Sequence, residues 1–391
     1  MKTIRLFLLI AILLLFGFST VVITEIRKED EEPQTSRSEW MKGKYGLMVH
    51  WISPNFDPAK NNNNPLTPLP EKGEYKYDLN DAVNGFDLNR FMQDFDKTGA
   101  EWLIFTIGQN SGTYASPNSV IDSLCGKGHT PNRDLALEIA KEVKSRGKRF
   151  IIYIPCELRV NETLQKGFAW NKEPNTDQSE FQRLYLKALR EWAVRFGENL
   201  DGWWFDGAYP NNAAFDNKVI KYDLWYDACR AGNKDALVTF NDGSYLVSII
   251  KPAEPDHDYL SGEQVAIIDG KLRLGLKKEG YELYLPQTAY VDGTYCLNHT
   301  LLPIDANWGH GWGTFPEWTN FPFEAIHSST PDGMEPPAYT DEQLQLFVKN
   351  FTNVGGAVTL NAGIFQEGHL GKLTIDQLQK LKKNYKKWKY D

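Results

Sequence analysis

The stretch Asp201-Gly202-Trp203-Trp204-Phe205-Asp206-Gly207 holds the side chain best placed, by type and context, to do chemistry. An apolar run ending in an acid and a glycine reads as a buried parallel strand that delivers one carboxylate to its C-terminal edge. Barrel enzymes keep their reactive groups there. In that position Asp206 is a candidate nucleophile, able to form a covalent ester with a substrate. Its aromatic neighbours, Trp204 among them, offer a sugar ring apolar faces to lie on. A plainer role fits the same residues, with Trp203, Trp204 and Phe205 as core and Asp206 closing the next loop.

The surrounding elements read as a series of strand and helix units. Tyr45–Trp51 is a first strand ending in His50 and Trp51, followed by an Asn- and Pro-rich loop over 53–70. A helix is expected over Asp87–Thr98 and a second strand over Glu101–Ile107, with a long loop from Gly108 to Pro131. Apolar residues at helical spacing mark Asn132–Arg146, and Arg149–Ile154 is a third strand. The Asp206 strand lies between helices at Glu180–Phe196 and Asp216–Ala231, and Leu237–Asn241 is a fifth strand. Further strands are expected at Asp258–Leu260, Tyr284–Gln287 and Gly356–Asn361, and helices at Asp341–Phe351, capped by Thr340, and Thr374–Trp388. This alternation, at intervals of roughly 35–50 residues, predicts an α/β fold of TIM-type (β/α) barrel class, one catalytic domain over 40–391.

Composition narrows the ligand. The net charge is −8 and the acids are dispersed, with no basic stripe to follow a phosphate backbone, so nucleic acid is not an expected partner. Twelve Trp and eighteen Tyr suit a polyhydroxylated ligand, although an aromatic core absorbs most of them. Lys2 and Arg5 precede an apolar run over Leu6–Ile23, which reads as a signal peptide for export or as an uncleaved membrane anchor through residues 6–23. Residues 24–39 read as a solvated linker. Cys125, Cys156, Cys229 and Cys296 lack zinc spacing and are expected as buried thiols or disulfides. Asn161, Asn298 and Asn350 have the glycosylation-acceptor form. The seven histidines show no ligand spacing, and no metal or other cofactor is expected.

Four landmarks in this order resemble family 29 of the glycoside hydrolases, the retaining α-L-fucosidases. They are Lys44-Tyr-Gly-Leu-Met-Val-His50-Trp51, Gly202-Trp-Trp-Phe-Asp206-Gly207, Asp258-Tyr-Leu-Ser-Gly262-Glu263 and Asn353-Val-Gly-Gly-Ala-Val-Thr-Leu-Asn361-Ala-Gly363. The resemblance covers roughly residues 40–390 and implies Asp206 as nucleophile, Glu263 as acid/base and His50 as a sugar ligand. Two departures stand out. The paired histidines expected after the second strand are replaced by Thr106-Ile-Gly108-Gln109-Asn110-Ser111-Gly112, and no counterpart of the family's common C-terminal β-sandwich is expected.

A retaining glycosidase needs two carboxyl groups about 5–5.5 Å apart, one to attack the anomeric carbon and one to protonate the leaving oxygen. Glu263, in a Gly-flanked loop, is the choice for the second role, with Glu254, Glu157 and Asp292 as rivals. His50, Trp51, Gln109, Asn110, Trp204 and Trp308 are the expected substrate-binding residues. Asn241, Asp242, His310 and Trp312 are further candidates for the rim. The implied activity is exo-hydrolysis of terminal α-linked fucose from an oligosaccharide or polysaccharide. A related sugar such as L-galactose, or a catalytically silent glycan-binding barrel, remains an alternative.

Overall fold

Short apolar runs pair side by side in the computed structural model, which describes residues 36–390 apart from 54–67, 69, 74, 110, 160, 175, 211–214, 244–250, 264, 269–270, 275–284, 306–331 and 335. The strands are β1 (Tyr45–Val49), β2 (Trp102–Thr106), β3 (Arg149–Pro155), β4 (Gly202–Asp206), β5 (Leu237–Phe240), β6 (Val265–Ile268), β7 (Lys271–Leu274), β8 (His299–Pro303) and β9 (Ala357–Ala362). Seven of them form one all-parallel sheet in the order β5-β4-β3-β2-β1-β9-β8, and β6 and β7 form a separate antiparallel hairpin. The sheet curls in the manner of a TIM barrel. Side chains alternate between two cores, and this is why the strands read as unbroken apolar runs. Met48, Ile104, Ile151, Tyr153, Trp204 and Leu237 fill the inside, while Leu47, Leu103, Ile152, Trp203, Phe205 and Val238 meet the helices outside.

The helices are α1 (Leu79–Asn84), α2 (Leu88–Thr98), α3 (Ser119–Cys125), α4 (Leu135–Ser145), α5 (Glu162–Gly167), α6 (Ser179–Phe196), α7 (Tyr222–Cys229), α8 (Asp341–Asn353) and α9 (Lys372–Tyr390). Asp87 and Asp134 cap α2 and α4 by accepting hydrogen bonds from Arg90 N and Leu137 N. Thr340 and Gln343 close a reciprocal capping box on α8. A short 3-10 turn, Arg37–Met41, carries Met41 into the inner core, and Trp40 packs edge-on against Trp102. Residues Ser36–Asp391 form one compact unit.

The expected elements over residues 45–388 are present, with three differences. Short helix α3 sits within the stretch read as a loop, and α1 and α5 fall where no element was assigned, because runs of six or seven residues give too little periodicity to be recognised. The helix expected over Asp216–Ala231 is a 3-10 turn followed by the shorter α7. The third difference bears on the site. Asp258–Leu260 is not a regular strand, residues 285–287 carry none, and β8 occupies His299–Pro303 instead. Buried His299 and Thr300 interrupt the apolar run of β8, which hides it from a hydropathy reading.

Residues 258–263 lie irregularly between β5 and β8. Asp258 N donates to Val238 O at 3.2 Å, Leu260 N to Leu297 O at 3.0 Å, and Leu301 N to Gly262 O at 2.8 Å. The Asp258 carboxylate accepts from Val238 N at 2.8 Å and pairs with Arg230 at 2.9 Å. All four cysteines are free thiols, three of them buried. Among the described residues no helix is long and apolar enough to cross a membrane, and Leu6–Ile23 lies outside them.

Candidate active site

β4 delivers Asp206 to the C-terminal edge of the sheet, as its sequence implies. The chain must then turn at once over β3. Gly207 has φ +93°, and a Cβ there would lie 2.7 Å from Glu157 Cδ, so both the conformation and the space require glycine. Past this turn Tyr209 folds back onto Asp206.

Three donors converge on the Asp206 carboxylate. Tyr153 OH donates to Oδ2 at 2.6 Å, Tyr209 OH to Oδ1 at 2.9 Å, and Asn241 Nδ2 to Oδ1 at 3.0 Å. Burial, reinforced by the charge of Asp206, holds both phenol pKa values well above the ordinary tyrosine range, so both remain donors. Asn241 Nδ2 also donates to Glu263 Oε2, at 2.6 Å. One amide nitrogen therefore joins the two carboxyl groups. Such a bridge fits the close spacing of retaining glycosidases and not the separation of about 6.5–9.5 Å used for inversion.

Glu263 reaches this point from the segment between β5 and β8, and Gly262 makes the approach possible. Gly262 has φ +70°, and a Cβ would stand 2.2 Å from His299 O. Burial first, and the charge of Asp206 second, push the Glu263 pKa up to about 8, against a lowering hydrogen bond from Asn241. At neutral pH Glu263 carries a proton it can give away. The rivals are engaged elsewhere. Glu254 accepts from Tyr226 OH at 2.7 Å, Asp292 lies exposed in a turn, and Glu157 is buried in an ion pair with Arg159 at 2.5 Å. The Arg159 guanidinium in turn lies 5.2 Å from the centre of the Tyr209 ring.

The expected substrate-binding residues separate into three groups. His50 is buried at the end of β1, its Nδ1 2.9 Å from Asn361 Oδ1 and its ring edge-on to Tyr153 at 4.9 Å. Burial lowers its pKa to about 4, so it is a neutral imidazole beside the site. Gln109 donates through Nε2 to Tyr153 OH, bracing the phenol that holds Asp206. Two tryptophans are not where the sequence placed them. Trp51 points into the outer core, against Phe86 and Phe105, with Nε1 donating to Gln366 O at 3.0 Å. Trp204 is buried inside the barrel, stacked under Tyr153 at 5.1 Å, with Nε1 donating to Ser261 O. Both follow from the alternation of strand side chains: Trp204 underlies the site one layer below Asp206, and Trp51 follows His50 on the opposite face. Asn110, Trp308, His310 and Trp312 lie outside the described residues.

Tyr153 and Tyr209 are the site residues that sequence reasoning missed. A signal for Tyr153 existed, because it shares the inward parity of Ile151 on β3 and pairs in register with Trp204, two residues before Asp206. Tyr209 had none beyond its place in the loop after Gly207. Asn241, read only as a rim candidate, is central. Among the described residues no group of three or more His, Cys, Asp or Glu side chains could hold a metal ion.

Comparison with known proteins gives the fold and the family. The family model for alpha-L-fucosidase matches residues 25–249, more than half of the chain. A comparison with curated protein sequences finds no match. Among solved structures, an endo-fucoidan hydrolase of glycoside hydrolase family 107 aligns with a TM-score of 0.61 at 18% identity, over 90% of this chain and 64% of that one. A second from the same family gives 0.60 at 15%, over 90% and 93%. The Thermotoga maritima alpha-fucosidase in complex with fucose gives 0.52 at 16%, over 91% and 75%. The chain thus spans less than two thirds of the first of these structures. These likenesses bear on the fold, and the family follows from the sequence match: the chain belongs to the alpha-L-fucosidase family of glycoside hydrolases.

Proposed function

We propose that this protein is a retaining exo-α-L-fucosidase that releases terminal fucose through a glycosyl ester on Asp206. The observation that carries the proposal is the single amide of Asn241 shared by Asp206 and Glu263. In the first step Glu263 gives its proton to the glycosidic oxygen while Asp206 attacks the anomeric carbon; the C–O bond breaks and the aglycone leaves. Ester formation removes the Asp206 charge, one of the two causes that hold the Glu263 proton. Glu263, now a carboxylate, takes a proton from water, the water oxygen attacks the anomeric carbon, and Asp206 is released. The sugar keeps its configuration. Membership of the alpha-L-fucosidase family supports fucose as the sugar.

A second reading, endo-cleavage within a fucose polymer, draws on the better superposition with endo-fucoidan hydrolases, at TM-scores of 0.59–0.61 against 0.52–0.53 for fucosidases. The test is turnover of aryl α-L-fucoside, its L-galactoside analogue and an α-linked fucan by the wild type and Asp206→Ala. Release of β-configured fucose, or inversion of any kind, would defeat the mechanism. Oligomers from fucan without turnover of the aryl fucoside would select the endo reading, and preference for the L-galactoside would change the sugar. Binding without turnover would make this a silent glycan-binding barrel. We extend the proposal to export through the Leu6–Ile23 segment, which N-terminal sequencing of the protein recovered outside the cytoplasm would check.

A further inference from the structure

We propose that Asn241 is a positioning residue that directs the transferable proton to Oε1 of Glu263, its amide orientation being fixed by the Gly243 N–H, with the Ser261 hydroxyl as a second donor to the same oxygen. The inference rests on the retaining reading above and concerns a residue that reading does not need for bond making.

The argument runs through donors and acceptors. Gly243 N lies 3.2 Å from Asn241 Oδ1. A backbone N–H can only donate, so the atom facing it must be the amide oxygen. Ser261 Oγ supports the same orientation from 3.3 Å. Gly243 has φ +127°, a conformation suited to glycine, and this turn brings its N–H back onto the side chain two residues earlier. With the oxygen so occupied, Nδ2 must face the two carboxyl groups, and it does so at 3.0 and 2.6 Å. An amide nitrogen has no acceptor capacity. Glu263 Oε2 must therefore accept, and because the carbonyl oxygen of a carboxylic acid is its better acceptor, this bond favours the hydrogen of protonated Glu263 on Oε1. The side chain of Asn241 is fully buried, so water does not compete for these positions.

The arrangement also explains why a neutral amide occupies the centre. The groups facing Glu263 are the Asp206 carboxylate on β4 and the phenols of Tyr153 on β3 and Tyr209 beyond β4, with the Glu157–Arg159 ion pair behind Tyr209. A cation in the place of Asn241 would strip Glu263 of its proton, and an anion would add a second negative charge beside Asp206. An amide holds both carboxyl groups without altering the charge balance. Its hydrogen bond still moderates how tightly Glu263 binds its proton.

The experiment uses the full chain and measures kcat/KM against pH for wild type, Asn241→Ala, Ser261→Ala and Asp206→Ala. Two aryl α-L-fucosides serve as substrates, one with a strongly activated leaving group and one with a poor one. Asn241→Ala is expected to lose about 10²-fold on the poor leaving group, the usual loss for one preorganised donor, and clearly less on the activated one. Its high-pH limb should move upward, because the hydrogen bond that lowers the Glu263 pKa is gone. Ser261→Ala should move both readouts in the same direction and less far, since Gly243 still holds the oxygen. An unshifted limb with equal loss on both substrates, in a variant with normal thermal unfolding, would overturn the proposal and leave Asn241 a spacer. Should Asn241→Ala not fold, the limb of Ser261→Ala decides. Turnover surviving in Asp206→Ala would instead remove the retaining reading itself.

Discussion

Replacing Tyr153 by Phe removes one hydroxyl from the most constrained part of the site. The ring keeps its stack on Trp204 and its edge contact with His50, so the perturbation is confined to the O–H that donates to Asp206 Oδ2 at 2.6 Å and accepts from Gln109. A hydrogen bond to a charged group contributes about 1.5–3 kcal/mol. Lost from the transition state, that lowers kcat/KM by roughly 10- to 150-fold. The direction of a second effect follows from the same geometry. With one donor fewer, the Asp206 charge is felt more strongly at Glu263, whose proton is then held to higher pH. The assay is kcat/KM for an aryl α-L-fucoside with a poor leaving group as a function of pH, with thermal unfolding as the control for folding. Unfolding should shift modestly, because Gln109 Nε2 loses its acceptor. A folded Tyr153→Phe with wild-type kcat/KM would refute the claim that this phenol holds Asp206 for its proposed role.

Four further outcomes are expected. Turnover should fall as pH rises through about 8, where Glu263 loses its proton. Because the native state keeps a proton that the unfolded chain releases above about pH 4.3, Glu263 contributes a decline in stability from there toward about pH 8, alongside buried Asp242 and Asp305, and Glu263→Gln should remove its share, read as a Tm gain over wild type at high pH and not at low pH. Gly262→Ala forces a left-handed conformation that costs about 1–2 kcal/mol in an L-residue and sets a Cβ 2.2 Å from His299 O, so Tm and turnover should fall together. Trp51→Ala, in the outer core, should cost about 3–5 kcal/mol in denaturant unfolding. At a temperature where the variant remains folded, its KM should be close to that of wild type; a large rise in KM would return Trp51 to the pocket.

Much of the architecture could be read from residue order. Strands buried on both faces must be continuous apolar runs, and so β1 to β5 and β9 were visible, as was the acid at the end of β4. Local chemistry also announced the cap at Thr340, since an N-cap bonds to a residue three positions away. What could not be read is what depends on neighbours distant in the chain. The irregular passage of residues 258–263 makes sense only against β5 and β8, and the carboxylate of Asp258 takes part in the backbone pairing there.

The sequence by itself determined the parallel α/β architecture, the placing of Asp206 at a strand end and, through resemblance, Glu263 as its partner. Periodicity and composition are local properties and survive without coordinates. Only the tertiary structure decided that Asn241 stands between the two acids, that Tyr153 and Tyr209 hold Asp206, and that Trp51 and Trp204 are core. Those assignments depend on which face of a strand a side chain occupies and on what lies opposite it. Where one residue of register exchanges the inside of a barrel for its outside, proximity along the chain carries no such information.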